Sequence, residues 1–241
     1  MESMKLLLLS NSTNPGEDYL DYPKQEIKNF LGARTVNALF IPYAAVRFSY
    51  DEYEQKVENR FAGLGHHVTG IHHFDNPVNA ILEAEAIVVG GGNTWRLVQL
   101  LHQNGLIEPI RNKALSGTPY IGWSAGSNVA CPTLRTTNDM PIVYPGSFDT
   151  LNLVPFQINP HYHDSHPEGV GGETRQDRIM EFIELNPSVT VIGLRESTML
   201  RLENNQLSLI GNRPARIFQY GREPFELYST DDFAKVQLDM P

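Results

Sequence analysis

Ser124 stands in Gly122-Trp123-Ser124-Ala125-Gly126, and that spacing is the strongest chemical signal in the chain. A serine hydroxyl becomes a nucleophile when a sharp strand-to-helix turn projects it and a nearby base takes its proton. Gly122 and Gly126 suit such a turn because they remove side chains where the backbone passes closest to itself. Pro119-Tyr120-Ile121 reads as the entering strand, and Ala125 to Ala130 as the departing helix. A helix starting at the serine leaves backbone N–H groups without intrahelical partners, which favours a developing oxyanion. The competing reading is an ordinary turn with a serine helix cap. The strand context and the polar clusters elsewhere favour the nucleophile.

A second glycine turn, Gly90-Gly91-Gly92-Asn93-Thr94, follows the apolar run Ala86-Ile87-Val88-Val89. It lacks the Lys-Ser/Thr ending of a P-loop and the spacing of a dinucleotide fingerprint. Its expected role is to donate an N–H from Gly91 or Gly92 to the oxygen that turns anionic when Ser124 attacks a carbonyl. The Ala125 N–H is the second candidate donor.

Attack also needs a base, and the chain holds eight histidines. His102 lies in a helical stretch. His66-His67 and His72-His73 flank a strand without an obvious acidic orienter. His161 differs, because Phe156-Gln157-Ile158 reads as a strand ending just before Asn159-Pro160-His161. A carboxylate should hold the imidazole in one tautomer. Asp139 gives the chain order Ser-Asp-His, Glu196 follows another strand, and Asp164 lies close to His161; sequence alone does not choose among them. The run from His161 to His166 also resembles a metal-ligand cluster, but no H-E-x-x-H pattern is present and such a site would leave the serine turn unexplained. No metal or organic cofactor is expected. Cys131 is the only cysteine, so an intramolecular disulfide and multi-cysteine metal frameworks are excluded. It reads as a buried, inert thiol.

These groups require a frame of short strands and amphipathic helices. Leu6–Leu9, Ala38–Ile41, Val68–Ile71 and Ala86–Val89 read as strands. Helices are expected from Tyr22 to Leu31, Asp51 to Leu64, around Val78–Leu82, and over Thr94–Gln103, Ile107–Leu115 and Arg175–Leu185. Pro132 to Gly146 reads as a surface loop, Leu153–Ile158 leads into Asn159-Pro160-His161, and Glu168–Glu173 reads as a glycine-rich loop. Val189–Ile192, Met199–Leu202, Leu207–Ile210 and Ala215–Phe218 read as further strands, some antiparallel. The expectation is one α/β domain over residues 1–241 with a mostly parallel sheet.

Composition sets outer bounds. The chain has 241 residues, 41% of them hydrophobic and 20% charged, enough for a substantial core. With 28 acidic and 19 basic side chains the formal charge is -9, which disfavours broad attraction to nucleic acid or anionic lipid. The apolar opening ends at Leu9 and reads as a first strand rather than an export signal. No run approaches the roughly 18 apolar residues of a membrane span. The single cysteine fits a reducing, cytoplasmic setting. Monomer and homodimer both remain open.

Taken together, LLLLSNST at 6–13, VVGGGNT at 88–94, YIGWSAGSNVACPTLRTTNDMPIV at 120–143, QINPH at 157–161, PEGVGGETRQDRI at 167–179 and VIGL at 191–194 give a specific pattern. The sequence resembles the alpha-aspartyl dipeptidase (peptidase E) family over most of its length. The resemblance implies a flavodoxin-like or class I glutamine amidotransferase-like three-layer fold and hydrolysis of dipeptides that begin with L-aspartate. It implies Ser124 as nucleophile, passing through an acyl-enzyme, and His161 as base. Asp139 matches a position required for activity, and Glu196 one also proposed as third triad member. Asp139 is taken as the active-site acid, with Glu196 as rival for the direct histidine contact. An Asp-X dipeptide also needs a carboxylate clamp. Arg175 leads through its planar fork and its match to the family segment, with Asn93, Glu173 and Asp139 as further pocket candidates. The alternatives are a small-molecule esterase using the same nucleophile and a catalytically silent acidic-metabolite sensor.

Overall fold

The computed structural model describes residues 3–165, 171–236 and 238; His166 and the 168–170 part of the glycine-rich loop lie outside them. The four leucines of β1 (Leu6–Leu9) are all buried, as expected for a strand covered on both faces. It lies inside a seven-stranded sheet with β2 (Asn37–Ile41), β3 (His67–Gly70), β4 (Ala86–Val89), β5 (Tyr120–Trp123), β8 (Met199–Glu203) and β9 (Gln206–Ile210). The order is β3-β2-β4-β5-β1-β8-β9. The first five run parallel, whereas β8 and β9 add on antiparallel.

The two-residue period of a strand sorts side chains onto opposite faces. Leu7, Leu9, Phe40, Val88 and Trp123 pack beneath α1 (Lys24–Leu31) and α2 (Tyr50–Leu64), meeting Ile27, Phe30, Val57 and Phe61. Leu6, Leu8, Ile41 and Val89 face the other way. They meet Ile81 of α3 (Pro77–Glu83), Leu97 and Leu101 of α4 (Thr94–Gln103), and Ile110 of α5 (Ile107–Leu115). Helix α2 starts on a reciprocal Ser49–Glu52 capping box and stops at Gly65 in the left-handed region.

A second, four-stranded sheet was not expected. Its order is β11-β10-β7-β6, formed by β6 (Gln157–Tyr162), β7 (Val191–Arg195), β10 (Ala215–Phe218) and β11 (Phe225–Leu227). Strands β6 and β7 are parallel and the remaining pairs antiparallel. One face joins the main core through Ile158, Ile192 and Ile217. The other, with Tyr162 and Phe218, is covered by Ile179 and Ile183 of α7 (Arg175–Glu184). The mostly parallel single sheet therefore becomes two mixed sheets in one α/β architecture. Three further expectations change. The strand expected over Phe156–Ile158 instead starts at Gln157 and runs on through Asn159-Pro160-His161 to Tyr162. Three-residue β11 carries too short a pattern to stand out. The helix after Ser124, α6, covers only Ala125–Asn128 rather than reaching Ala130. The next carbonyls are taken from outside: Val129 O accepts from Leu151 N at 2.9 Å, and Ala130 O from Leu153 N at 2.8 Å. No helix among the described residues is long and apolar enough to cross a membrane.

Helix α6 lies tight against β4. A Cβ added at Gly126 would sit 2.1 Å from the Val89 carbonyl oxygen, a backbone atom fixed in the sheet. Gly126→Ala should lower stability by about 1–3 kcal/mol, read as a lower denaturant midpoint at constant slope. Gly63→Ala on exposed α2, where a Cβ would meet nothing within 4 Å, should be neutral or slightly stabilising. An equal midpoint for both variants would contradict this account of the turn.

Candidate active site

Strand β5 delivers Ser124 at φ 52° and ψ −110°, a conformation that costs a non-glycine residue about 1–3 kcal/mol. Surrounding bonds hold it there. Ser124 N donates to Leu9 O at 3.1 Å, and the Ser127 hydroxyl lies 2.6 Å from Leu9 O and 2.9 Å from Gly122 O. A Cβ on Gly122 would approach Gly126 O to 2.4 Å. The two glycines of the turn thus answer two separate backbone contacts. Beneath it, Trp123 Nε1 donates to the Tyr53 hydroxyl at 3.0 Å, and that hydroxyl donates to Gly91 O at 3.0 Å. Burial pushes the Tyr53 phenol pKa up, keeping the hydroxyl protonated as a donor.

His161 arrives from the other sheet, also with positive φ (53°), at an irregularity in the β6–β7 register. Its backbone N–H donates to Ser10 Oγ at 2.9 Å, and Ser10 Oγ donates to Leu194 O at 2.7 Å. Ser10 is fully buried at the end of β1, so one hydroxyl ties the first sheet to both β6 and β7. The imidazole then bridges two groups. His161 Nε2 lies 2.9 Å from Ser124 Oγ, and Nδ1 lies 2.8 Å from Glu196 Oε1.

Glu196 follows β7 and is held from both sides. Buried Arg195 donates to Asp164 at 2.7 and 2.9 Å, to Glu226 at 2.7 and 3.0 Å, and to Pro214 O at 2.6 Å. The Arg195 pairing holds the Asp164 carboxyl below the usual carboxylate range. On the other side Ser197, at φ 70°, donates its N–H to Asn11 Oδ1 at 3.0 Å.

Of the two acids left open for the direct contact to His161, Glu196 is the one that makes it. Asp139 Oδ2 accepts instead from Thr94 N at 2.7 Å, Thr94 Oγ1 at 2.6 Å and Thr137 Oγ1 at 3.1 Å. A carboxylate at the N-terminus of α4 satisfies its open N–H groups and complements the helix dipole. Asp164 is likewise committed to Arg195. Asp139 nevertheless lines the same cleft of about 530 Å³ as Ser124, His161, Gly91, Gly92 and Lys56. A larger hollow of about 680 Å³ lies beside β9 and the C-terminal segment, away from all these groups, so size alone does not mark the site.

Among the described residues, the N–H groups of Gly91, Gly92 and Ala125 have no protein acceptor. A Cβ on Gly91 would sit 3.1 Å from Ser124 Cβ, and one on Gly92 2.2 Å from Ala44 O. The glycine loop is therefore pressed against the serine turn with donors to spare, as an oxyanion pocket requires.

The three remaining pocket candidates do not line the cleft among the described residues. Asn93 caps α4 through Arg96 N at 3.1 Å and donates to Met140 O at 2.9 Å. Exposed Glu173 lies 3.8 Å from Arg178 Nε. Arg175 begins α7 with Nη2 3.5 Å from His163 Nε2, while its buried Nη1 has no hydrogen-bond partner among the described residues. Burial pushes the Arg175 pKa down. Cys131 Sγ accepts from Ile158 N at 3.1 Å, and burial pushes the thiol pKa far up, which excludes an accessible thiolate. Sequence reasoning missed Ser10, Tyr53 and Arg195 as positioning groups. Each works through a distant partner, and no local spacing marks such a contact.

Three kinds of likeness agree with this geometry. Residues 6–210 match the model of Peptidase family S51. The chain is 53% identical over 230 residues to Peptidase E from Nostoc sp. (strain PCC 7120), covering 95% of each chain. It is 48% identical over 224 residues to Peptidase E from Salmonella heidelberg (strain SL476), covering 93% of this chain and 97% of that one. In fold it is similar to a peptidase from an acI-B1 Actinobacterium, with a TM-score of 0.70 at 19% identity, over 95% of this chain and 96% of the other. A match over this much of its length, to relatives this similar, means that the chain belongs to peptidase family S51.

Proposed function

We propose that this chain is a serine-type dipeptidase that hydrolyses Asp-X dipeptides, with Ser124 as nucleophile, His161 as general base and Glu196 as the acid orienting it. The observation that carries the reading is the continuous Ser124–His161–Glu196 contact, at 2.9 and 2.8 Å, in a member of peptidase family S51. His161 Nε2 accepts the Ser124 proton as Oγ attacks the aspartyl carbonyl. The oxyanion is met by N–H groups of Gly91 or Gly92 and Ala125. Protonated His161 returns the proton to the departing amine, leaving an aspartyl ester on Ser124. Water, deprotonated by the same imidazole, then releases aspartate. Glu196 balances the imidazolium charge in both halves.

The substrate's side-chain carboxylate is assigned to Arg175. Its support is a half-buried guanidinium whose Nη1 lacks a protein partner among the described residues. A buried cation of this kind is stabilised by an anion supplied from outside. Asp139, which lines the cleft, is assigned the polar wall facing the substrate amine. An anion-seeking arginine favours an acidic dipeptide over a simple ester. For the fold we propose the flavodoxin-like, class I glutamine amidotransferase-like family and one peptidase domain over residues 1–241. The supporting feature is a nucleophile turn at the end of a central parallel strand, with helices on both faces. A cytoplasmic setting accords with the lone buried thiol.

Ser124→Ala should retain the wild-type circular dichroism spectrum and lose about four orders of magnitude or more in kcat/KM for Asp-Leu. Appreciable turnover by that variant would remove the assignment. Glu196→Gln should lower kcat by roughly two to four orders of magnitude with little change in KM; wild-type kcat would shift the orienting role elsewhere. Arg175→Ala should narrow the preference for Asp-Leu over Asn-Leu by roughly tenfold or more, as expected for a lost charge-assisted bond. An undiminished preference would exclude Arg175 as the clamp.

A further inference from the structure

His72 and His73 have no obvious acidic orienter in the sequence, but the fold brings Asp51 and Glu54 to them. They lie in a 3-10 turn, Ile71–His73, that follows β3 and faces the first turns of α2. Asp51 and Glu54 are three residues apart on that helix and so share a face. His72 Nε2 is 2.9 Å from Asp51 Oδ1 and 3.5 Å from Glu54 Oε2. His73 Nε2 is 2.6 Å from Glu54 Oε2 and 3.8 Å from Asp51 Oδ1. One nitrogen or oxygen from each of the four residues lies within 4.8 Å of all the others.

The surroundings hold this convergence in place. Gly70 N donates to Glu54 Oε1 at 2.9 Å, which fixes the carboxylate and leaves Oε2 turned to the imidazoles. A Cβ on Gly70 would lie 2.2 Å from His72 Cε1 and 2.7 Å from Glu54 Oε2, so only glycine leaves room for the pair. The two imidazole rings lie 4.0 Å apart at 40°, and Tyr50 walls His72 at 5.5 Å. Asp51, with 77% of its side chain exposed, provides the open side.

We infer that Asp51, Glu54, His72 and His73 form a binding site for a divalent transition metal of the zinc class, separate from the serine cleft. Two imidazoles with two carboxylates select zinc, cobalt or nickel over magnesium or calcium, which prefer all-oxygen shells. Metal–ligand bonds of about 2.0–2.1 Å in a tetrahedron put donors about 3.3 Å apart; the four imidazole–carboxylate separations, 2.6–3.8 Å, bracket that value, and all four donors lie within 4.8 Å of one another. The two carboxylates balance the charge of the ion. Metal entry requires each Nε2 to be free of a proton, so any proton it carries leaves for Nδ1 or for solvent. Four protein ligands close the shell, so the ion would fasten the start of α2 to the turn after β3 rather than activate water.

The test is titration of the purified full-length chain with Zn2+ and Co2+, beside the Asp51→Asn/His73→Gln double variant. Both substituted side chains are exposed, Asp51 to 77% and His73 to 47%, and circular dichroism checks the fold. The single Asp51→Asn variant serves if the double variant does not fold. The wild type should bind one more equivalent of Zn2+ than the variant, or bind it roughly tenfold or more tightly. Its Co2+ complex should show the visible absorption of a tetrahedral site, absent from the variant. Zinc should also raise the Tm of the wild type alone. Indistinguishable titrations would overturn the inference, as would wild-type protein that binds neither ion. None of these readings depends on peptidase activity, so they succeed or fail independently of the proposed reaction.

Discussion

The reactive groups of this protein come from two different sheets, and the contact between those sheets is what the site depends on. Ser124 directly follows β5 of the seven-stranded sheet, whereas His161 lies in β6 and Glu196 directly follows β7 of the four-stranded one. A separation error of one ångström between the sheets would break the 2.9 Å contact from imidazole to hydroxyl. Ser10 spans that junction. Its hydroxyl accepts from the His161 backbone and donates to Leu194, while its N–H donates to Thr198 O at 3.0 Å. A buried hydroxyl with its donor and acceptor capacity used locks register as well as distance. Leu9, the residue before it, accepts from Ser124 N, so a single strand end sets both halves of the relay.

The rest of the cleft is braced in the same way. Tyr53 on α2 accepts from Trp123 and donates to Gly91, joining the serine turn to the glycine loop through one oxygen. Asp139 fastens the loop that follows α6 to the start of α4. Arg195 draws Asp164, Glu226 and the Pro214 carbonyl together directly beside Glu196. The Arg195 guanidinium is buried, and burying such a charge is favourable only because the opposed carboxylates and the carbonyl satisfy its donors.

Much of this was legible from residue patterns. Continuous apolar runs marked β1 and β4, helical spacing marked α2 and α4, and paired glycines marked both turns. The Gly-x-Ser-x-Gly spacing singled out Ser124, and the segment around Asn159-Pro160-His161 singled out His161. The choice between Asp139 and Glu196 was not legible. Both are acids in polar loops, and what separates them is a contact 35 residues apart in one case and a helix start in the other. The second sheet was hidden for a related reason. Its strands look like those of the first, and their grouping follows from long-range pairing that hydrophobic period does not encode. His72 and His73 illustrate the same limit, since their carboxylate neighbours lie about twenty positions earlier in the chain.

Ser124 and His161 both occupy left-handed backbone conformations, each unfavourable for a residue with a Cβ. The molecule therefore keeps part of its folding free energy stored at the two positions where reactivity is concentrated. Selection for thermal robustness alone would drift toward glycine or asparagine at these sites and erase the chemistry. Durability and reactivity are set against each other here by backbone torsion, before any side chain is considered.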